Sequence, residues 1–557
     1  MIDGRQFERG ADFRGGYPGE VNEELAWFAG RYLVRFLAEE KKLAPPVRIL
    51  VGRDGRLSSA PLYDALIRGL ADAGATPIPV ELTTTDALVW GIGTGVATAT
   101  AGCMVTASHN PPEDNGIKML LRGKAAVETI SPKSLCPYFL ADPERGEGLA
   151  ADVEARPPFA PSPCLQLVSQ FVQAACRWAP ARHEFRDKVV LDPGNGVGAL
   201  FLAPLQREVP GAVFSTIFGE IDGHFPNRPS NPALPDAIEQ TETALKEMLE
   251  KLKRDGAASP AFTAAFDGDA DRLFLFDDMG KFVPGDLLLA HLAQVQLAGK
   301  RGSPVVFTST CSWKVIEVIR ELGGVPVICK VGQDTVKEAL ESVRAVFGGE
   351  SSGHFNFPGS YYQDSGLIAL MTFWQSLHEM RASGATTVSD VLRRLKAWEA
   401  SGEINIKIKS KQWKKISARA VQELHDAASG KTDCTVLDID GVGIYSPATP
   451  ADLFQPWKGH EARPFRRVNF ASGDYRPEWW VSLRRSNNEP LIRLNVEAQD
   501  RGTMVERTGE FLAKVQAASK DETEVVVPTE IVDFGYLSEE EQKEIKSGSQ
   551  RAPGRAD

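Results

Sequence analysis

Val47-Arg48-Ile49-Leu50-Val51 is a short, mostly apolar run, and a second run, Cys103-Met104-Val105-Thr106, lies some fifty residues on. Between them residues 61–73 carry apolar side chains at helical spacing. The runs predict strands and the segment between them an amphipathic helix. The alternation continues through residues 188–192, 261–266, 305–308 and 325–329, each a strand by the same criterion, and the charged stretch 236–254 has the spacing of a surface helix. Strands alternating with helices predict α/β layers on mixed, mostly parallel sheets. After about residue 400 the texture changes. Glu403-Ile-Asn-Ile-Lys-Ile-Lys409 alternates at period two, residues 434–439 and 479–483 predict further strands, and 491–496 is placed to pair with the last. Helical segments at 417–428 and 503–518 accompany them, so the end of the chain predicts an α+β domain.

A chain of 557 residues is too long for a single hydrophobic core. Pro157-Pro158 and Pro161-Ser162-Pro163, the turn-rich Gly280-Lys-Phe-Val-Pro-Gly285, and residues 399–402 mark the breaks. The expected division is 1–157, 158–283, 284–399 and 400–527, with a polar, mobile tail at 528–557. The apolar and charged fractions, 43% and 25%, are those of an ordinary soluble globular protein. The net charge of −11 argues against nonspecific nucleic-acid binding, which needs a basic surface. An acidic protein acting on an anionic ligand must therefore gather positive charge locally. The seven cysteines are scattered with no metal-ligand spacing, as expected of free thiols in a reducing compartment. The first ten residues are charged and lack the apolar region of a secretory signal, and no apolar run reaches the roughly 20 residues of a membrane span. The expectation is a cytoplasmic enzyme, monomer or dimer, with a small-molecule partner and neither nucleic acid nor membrane.

Two loops carry chemistry. The strand ending at Thr106 runs into Ala107-Ser108-His109-Asn110-Pro111-Pro112-Glu113-Asp114-Asn115-Gly116-Ile117-Lys118, whose Asn, Pro and Gly predict a tight loop free of helix and strand. Ser108 lies at its tip, with His109 and Lys118 close in sequence. A hydroxyl needs activation to act as a nucleophile, and its phosphate ester is a good donor where cations stabilise it. The second loop, Asp267-Gly-Asp-Ala-Asp-Arg272, sets a carboxylate at every second position between two apolar runs. Such carboxylates converge on one hard cation. An EF-hand would need Gly at loop position six and Glu at twelve, where this chain has Arg272 and Asp278. Magnesium suits the loop better, since it binds few carboxylates and leaves room for a phosphate oxygen.

Two other motifs point elsewhere. Gly349-Glu350-Ser351-Ser352-Gly353 has the G-x-S-x-G pattern of a nucleophile elbow, but Pro358 and Gly359 block the helix an elbow must open. Gly194-Asn-Gly196-Val-Gly-Ala199 fits the dinucleotide fingerprint and has Glu220 about twenty residues on. Asp192-Pro193 intervenes before the first glycine, and a glycine-rich helix start used for packing is the preferred reading.

Four stretches taken together resemble the active-site loops of the α-D-phosphohexomutase superfamily, in that family's order: Thr106-Ala-Ser-His-Asn-Pro111, Asp267-Gly-Asp-Ala-Asp-Arg272, Gly348-Gly-Glu-Ser-Ser-Gly-His354 and Arg484-Arg-Ser-Asn-Asn-Glu-Pro490. Lesser matches are Asp12-Phe-Arg-Gly15, Gly52-Arg-Asp-Gly-Arg-Leu-Ser-Ser59, Asp192-Pro-Gly-Asn-Gly196 and Asp222-Gly-His-Phe-Pro226. The resemblance implies three similar α/β domains with mixed sheets plus a C-terminal α+β domain around a central cleft. It implies a phosphoserine at Ser108, and magnesium held by its phosphate with Asp267, Asp269 and Asp271. Glu350, Ser352 and His354 would hold sugar hydroxyls. Arg484, Ser486, Asn487, Asn488 and Arg493 would grip the non-reacting phosphate. Arg14, Lys118, Arg272 and Lys330 would supply further positive charge beside His109, and Lys118 or His354 the general acid/base. The reaction implied moves a phosphoryl group between C1 and C6 of mannose and/or glucose, through a hexose 1,6-bisphosphate. Asn488 stands where the family usually has threonine, and Arg485 where many members have proline. A phosphoglucosamine mutase is the alternative within the family, and a catalytically silent phosphosugar-binding protein the alternative outside enzymes.

Overall fold

The computed structural model describes residues 4–143, 166–382, 387–393, 398–408, 412–429, 431–471, 473–486 and 490–518, with a few single positions and the pairs 532–533 and 542–543 besides. The chain divides into two compact units, one of residues 1–288 and 352–391, the other of 289–351 and 392–557.

The first sheet belongs to the first unit and has the order β1-β5-β4-β2-β3, with β6 on β5. Its strands are β1 (Phe13–Gly16), β2 (Arg48–Arg53), β3 (Thr76–Leu82), β4 (Ala101–Val105), β5 (Asp114–Arg122) and β6 (Val127–Thr129). The apolar runs that predicted β2 and β4 are buried, and β2 lies parallel to both β3 and β4. Helices Glu23–Glu39 and Ser59–Asp72 share a core with Ile49, Val51, Cys103 and Val105. Asn22 starts the first of these helices, its side chain accepting from the Leu25 N–H, with Glu23 and Glu24 favoured beside the positive end of the helix dipole.

β5 corrects the sequence reading. Residues 114–118 were expected in a loop, yet they begin a long strand antiparallel to β4 and β1. Asn115 and Gly116 are weak strand formers alone, but β1 pairs with both of them, and pairing overrides propensity. Their fit is tight: a Cβ on Gly116 would lie 2.2 Å from the Phe13 carbonyl oxygen.

The second sheet repeats the plan, with β7 (Lys188–Asp192) parallel to β8 (Val213–Thr216) and β9 (Phe262–Phe266). β10 (Leu273–Phe276) returns antiparallel on β9, and β11 (Phe282–Val283) closes the edge. In both sheets the connection from a parallel strand to its antiparallel neighbour carries candidate site residues: Ser108 between β4 and β5, the aspartates between β9 and β10. Such positions, beyond the carboxyl ends of parallel strands, are where α/β sheets bind ligands. Helix Pro235–Arg254 buries only Ala237, Thr241 and Leu245, as its charged sequence predicts for a surface helix.

In the second unit β12 (Pro304–Thr308) runs parallel to β13 (Val325–Cys329) and β14 (Phe347–Gly349). After the short strand β15 (Phe355–Asn356) of the first unit, the chain enters a mostly antiparallel region: β16 (Glu399–Ala400), β17 (Ile404–Lys407), β18 (Thr435–Leu437), β19 (Val442–Ser446), β20 (Phe454–Pro456), β21 (Phe465–Val468), β22 (Trp479–Arg485) and β23 (Leu491–Ala498). β18-β19-β22-β23-β17 form one sheet in that order. Helices Trp413–Ser429 and Arg501–Ala518 cover it through a core that includes Ile404, Ile406, Leu483 and Leu494. The expected pairing of β22 with β23 is present. The hairpin of β20 and β21 instead joins the α/β sheet, with β21 antiparallel to β13. Most of the tail lies outside the described residues, but 532–533 form a strand, β24, on β17. β17 otherwise ends the sheet with free backbone groups, and an extended segment satisfies them.

Among the described residues no helix is long and apolar enough to cross a membrane. Six cysteines are free thiols, and Cys164 lies outside the described residues.

Candidate active site

Ser108 is buried, 4% exposed, in the left-handed region at φ 52°. That conformation is uncommon outside glycine and needs support from its surroundings. Ser108 N–H donates to Thr106 Oγ1 at 2.8 Å, and Thr106 in turn donates to Asp54 Oδ2 at 2.7 Å. The buried guanidinium of Arg56 pairs with Asp54 and donates to the carbonyls of Ser108 (2.8 Å), Asn110 (2.7 Å), Asp114 (3.2 Å) and Pro111. One rigid fork thus fixes four carbonyls of the loop. The sequence reading quoted Arg56 within a lesser match and gave it no role.

The aspartate loop meets this serine directly. Ser108 Oγ donates to Asp267 Oδ2 at 3.0 Å. Gly268 allows the approach, since a Cβ there would fall 2.6 Å from the Ser108 carbonyl oxygen. Behind the loop, Val197 N–H donates to Gly268 O at 3.2 Å, and a Cβ on Gly194 would strike the Arg228 guanidinium at 2.3 Å. The glycine-rich stretch 194–199 is therefore packed under the aspartate loop, as preferred over a dinucleotide site. The G-x-S-x-G segment ends in a turn and a short strand, with no helix behind it.

Asp267, Asp269 and Asp271 are buried, with a carboxylate oxygen from each inside a 4.8 Å cluster. Asp267 and Asp271 are pushed above the usual carboxylate range, by burial first and then by their neighbours' charges. Burial acts on Asp269 too, but Lys118 outweighs it and holds that carboxyl low. Lys118, on β5, donates to Asp269 Oδ2 at 2.8 Å and Asp271 Oδ2 at 2.7 Å. Burial would lower the pKa of its ammonium, yet the two carboxylates raise it. Thr85 donates to Asp269 as well, a contact the sequence gave no means of finding across 184 residues. Asp269 Oδ1 and Asp271 Oδ1 remain buried without a hydrogen-bond partner among the described residues. Three crowded carboxylates with two unused oxygens fit a hard divalent cation.

The other expected cations of this unit surround the serine. Arg14, on β1, donates to the Ala107 carbonyl and pairs with Asp12. Arg272 Nε lies 3.4 Å from Asp267 Oδ2, and its Nη2 meets His109 Nδ1 at 2.6 Å. Burial, then Arg272 and Arg14, push the His109 imidazole well below its ordinary value. It is neutral, and its Nδ1 accepts from Arg272 while lying 3.3 Å from Ser108 Oγ. His354 is buried with Nδ1 on Asp364 and 3.9 Å from Asp271 Oδ1. Asp364 is a partner that sequence reasoning missed, although it lies only ten residues on. Ser352 lies nearby in sequence, partly exposed in the turn before His354.

The remaining expected residues belong to the second unit. Glu350 Oε1 accepts from the Gly332 N–H at 2.9 Å and Oε2 from Gln333 Nε2 at 3.2 Å. Lys330 Nζ lies 4.0 Å from Asp440 Oδ1. Arg484 and Arg493 both bind Glu403, and Ser486 N–H donates to the Leu491 carbonyl at 3.0 Å. Asn487 and Asn488 lie outside the described residues.

Comparison with known proteins gives this arrangement its class. Three family models match: phosphoglucomutase/phosphomannomutase α/β/α domain I at residues 5–133, domain II at 169–280 and domain III at 284–396. Phosphohexose mutases of Xanthomonas campestris are 32% identical over 503 residues, 90% of this chain and 97% of that protein. A phosphomannomutase of Escherichia coli is 30% identical over 520 residues, with the same 90% and 97% covered. Among solved structures, a phosphoglucomutase/phosphomannomutase family protein of Burkholderia thailandensis shares the fold, with a TM-score of 0.71 at 24% identity over 94% of this chain and 99% of that one. These matches define an isomerase, an intramolecular phosphotransferase acting on sugar phosphates. The chain belongs to the phosphoglucomutase/phosphomannomutase family of the α-D-phosphohexomutase superfamily.

Proposed function

We propose that the protein interconverts hexose 1-phosphates and hexose 6-phosphates of mannose and/or glucose, through a phosphoserine at Ser108 and a hexose 1,6-bisphosphate. The observation that carries this reading is Ser108 Oγ, 3.0 Å from Asp267 within a buried cluster of three carboxylates and flanked by Arg272 and Lys118. Asp267, Asp269 and Asp271, with the serine phosphate, would hold magnesium, which supplies charge neutralisation for phosphoryl transfer. Arg14 and Arg56 hold the serine loop, so Ser108 is presented in one orientation. The bond from phosphorus to Ser108 Oγ breaks as the bond to the free sugar hydroxyl forms; the hydroxyl's proton leaves to a base, and Ser108 Oγ takes up a proton as it departs. The other phosphate of the bisphosphate then returns to Ser108.

Of the two general acid/base candidates, His354 is the better supported. Lys118 is kept charged by two carboxylates and has no free lone pair. His109 already uses Nδ1 to accept from Arg272. His354 Nδ1 is engaged by Asp364, so Nε2 is the ring nitrogen left to exchange a proton with the sugar hydroxyl. Arg484, Arg493 and Lys330 are assigned to the substrate's other phosphate, and Glu350 to its hydroxyls.

The test is conversion of glucose 1-phosphate and mannose 1-phosphate with magnesium and the matching 1,6-bisphosphate. Wild-type protein should turn over at least one of them. Ser108→Ala and Asp269→Asn should lose at least about a hundredfold in kcat with melting behaviour intact. Turnover by Ser108→Ala near the wild-type rate would overturn the phosphoserine route.

A further inference from the structure

Arg484 on β22 and Arg493 on β23 stand directly opposite each other in the antiparallel ladder. Like charges in that position destabilise a sheet unless an anion lies between them. Glu403, the residue before β17, supplies the anion. Its Oε2 accepts from Arg484 Nη2 at 3.0 Å and its Oε1 from Arg493 Nη1 at 2.6 Å. Strand alternation puts it there. Ile404 and Ile406 enter the core, so Glu403 and Asn405 face the other side, where Asn405 is paired with Arg493.

One carboxylate thus bridges two guanidiniums. Arg484 is only 9% exposed, yet its Nε has no hydrogen-bond partner among the described residues. A buried guanidinium with unused donor capacity, fixed by a bridging carboxylate, is prepared to accept another oxyanion. We propose that Glu403 is a positioning residue, whose carboxylate fixes the two guanidiniums so that both serve one phosphate of the substrate. The proposal rests on the assignment of Arg484 and Arg493 to that phosphate. The opposing possibility is that Glu403 is merely a counter-charge that competes with the phosphate. The two differ in sign: removing a competitor tightens anion binding, whereas removing a positioning group weakens it despite the gain in positive charge.

The experiment uses the full chain with Ser108→Ala, so that the sugar binds without reacting. Glucose 1-phosphate and mannose 1-phosphate are titrated by calorimetry into this protein and into the same protein carrying Glu403→Gln, Glu403→Asp or Arg484→Ala. Glu403→Gln should weaken binding about tenfold, the size expected for disturbing a charge-assisted contact, and Glu403→Asp should recover part of the loss. With Ser108 intact, Glu403→Gln should raise KM by a similar factor and leave kcat within about twofold, a split that general loosening of the fold would not give. Unchanged or tighter binding by Glu403→Gln, beside a clear loss in Arg484→Ala, overturns the positioning role alone. Unchanged binding by Arg484→Ala overturns the phosphate assignment and the positioning role with it.

Discussion

Lys118 and Asp269 hold each other charged, and the same low-dielectric burial acts in the opposite sense on His291. That imidazole is buried in helix Gly285–Leu297, and burial brings its pKa down to about 4. The unfolded chain takes up a proton below about pH 6.5, while the fold refuses it until about pH 4. The contribution of His291 is thus fully present above that window and is lost as pH falls through it, by about 3 kcal/mol in all. His291→Gln removes the titration. Its apparent melting temperature should fall less steeply than that of wild type between pH 7 and pH 4.5, and coincident slopes would contradict the account. Sequence spacing marked Ser108, the three aspartates and Lys118 as candidates, because each lies within a continuous loop-and-strand stretch, and the structure brings them together. It did not reveal Asp364 as the partner of His354, nor Thr85 as a donor to Asp269, because nothing local marks a side chain that arrives from another element.

At the scale of elements, the serine loop shows how a correct motif can sit on a wrong local reading. Asn115 and Gly116 speak against a strand, yet β1 pairs with them and β4 with the residues that follow, and the resulting strand carries Lys118 to the aspartates. Propensity is read from one segment, whereas pairing depends on residues far away. Arg56 is the other half of that loop's construction. Arg56→Ala should leave Asp54 buried without its ion-pair partner and four loop carbonyls without their shared donor. The expected cost is on the order of 3 kcal/mol or more, from the uncompensated buried charge. Urea unfolding of wild type and variant, followed by circular dichroism, measures it. A loss below about 1 kcal/mol would mean that the loop is held by other contacts.

Across the whole molecule, the change from alternating strands and helices to period-two strands near residue 400 was legible, and four sheets with the expected character are present. The transfer of β20 and β21 to the α/β sheet was not, since β21 pairs with a strand more than 130 residues earlier and its own sequence, Phe-Arg-Arg-Val, fits either sheet. Substrate choice is also a property of the whole chain. In the proposed mechanism a bisphosphate presents first one end and then the other to Ser108, which roughly exchanges the places of O3 and O4. A carboxylate such as Glu350 can accept from that pair in either orientation, but O2 has no symmetric partner. Glucose and mannose, which differ at C2, should therefore have kcat/KM values within about two powers of ten, a gap of about 3 kcal/mol. Glu350→Ala should damage both activities together. A preference of many thousandfold, or a variant that loses only one activity, would show that C2 is read directly. The phosphoserine itself is tested most directly by peptide mass spectrometry of active protein before and after incubation with hexose 1,6-bisphosphate. The account predicts phosphate on the peptide that contains Ser108, at an occupancy that rises with the bisphosphate; fully active protein phosphorylated only at another residue would contradict it.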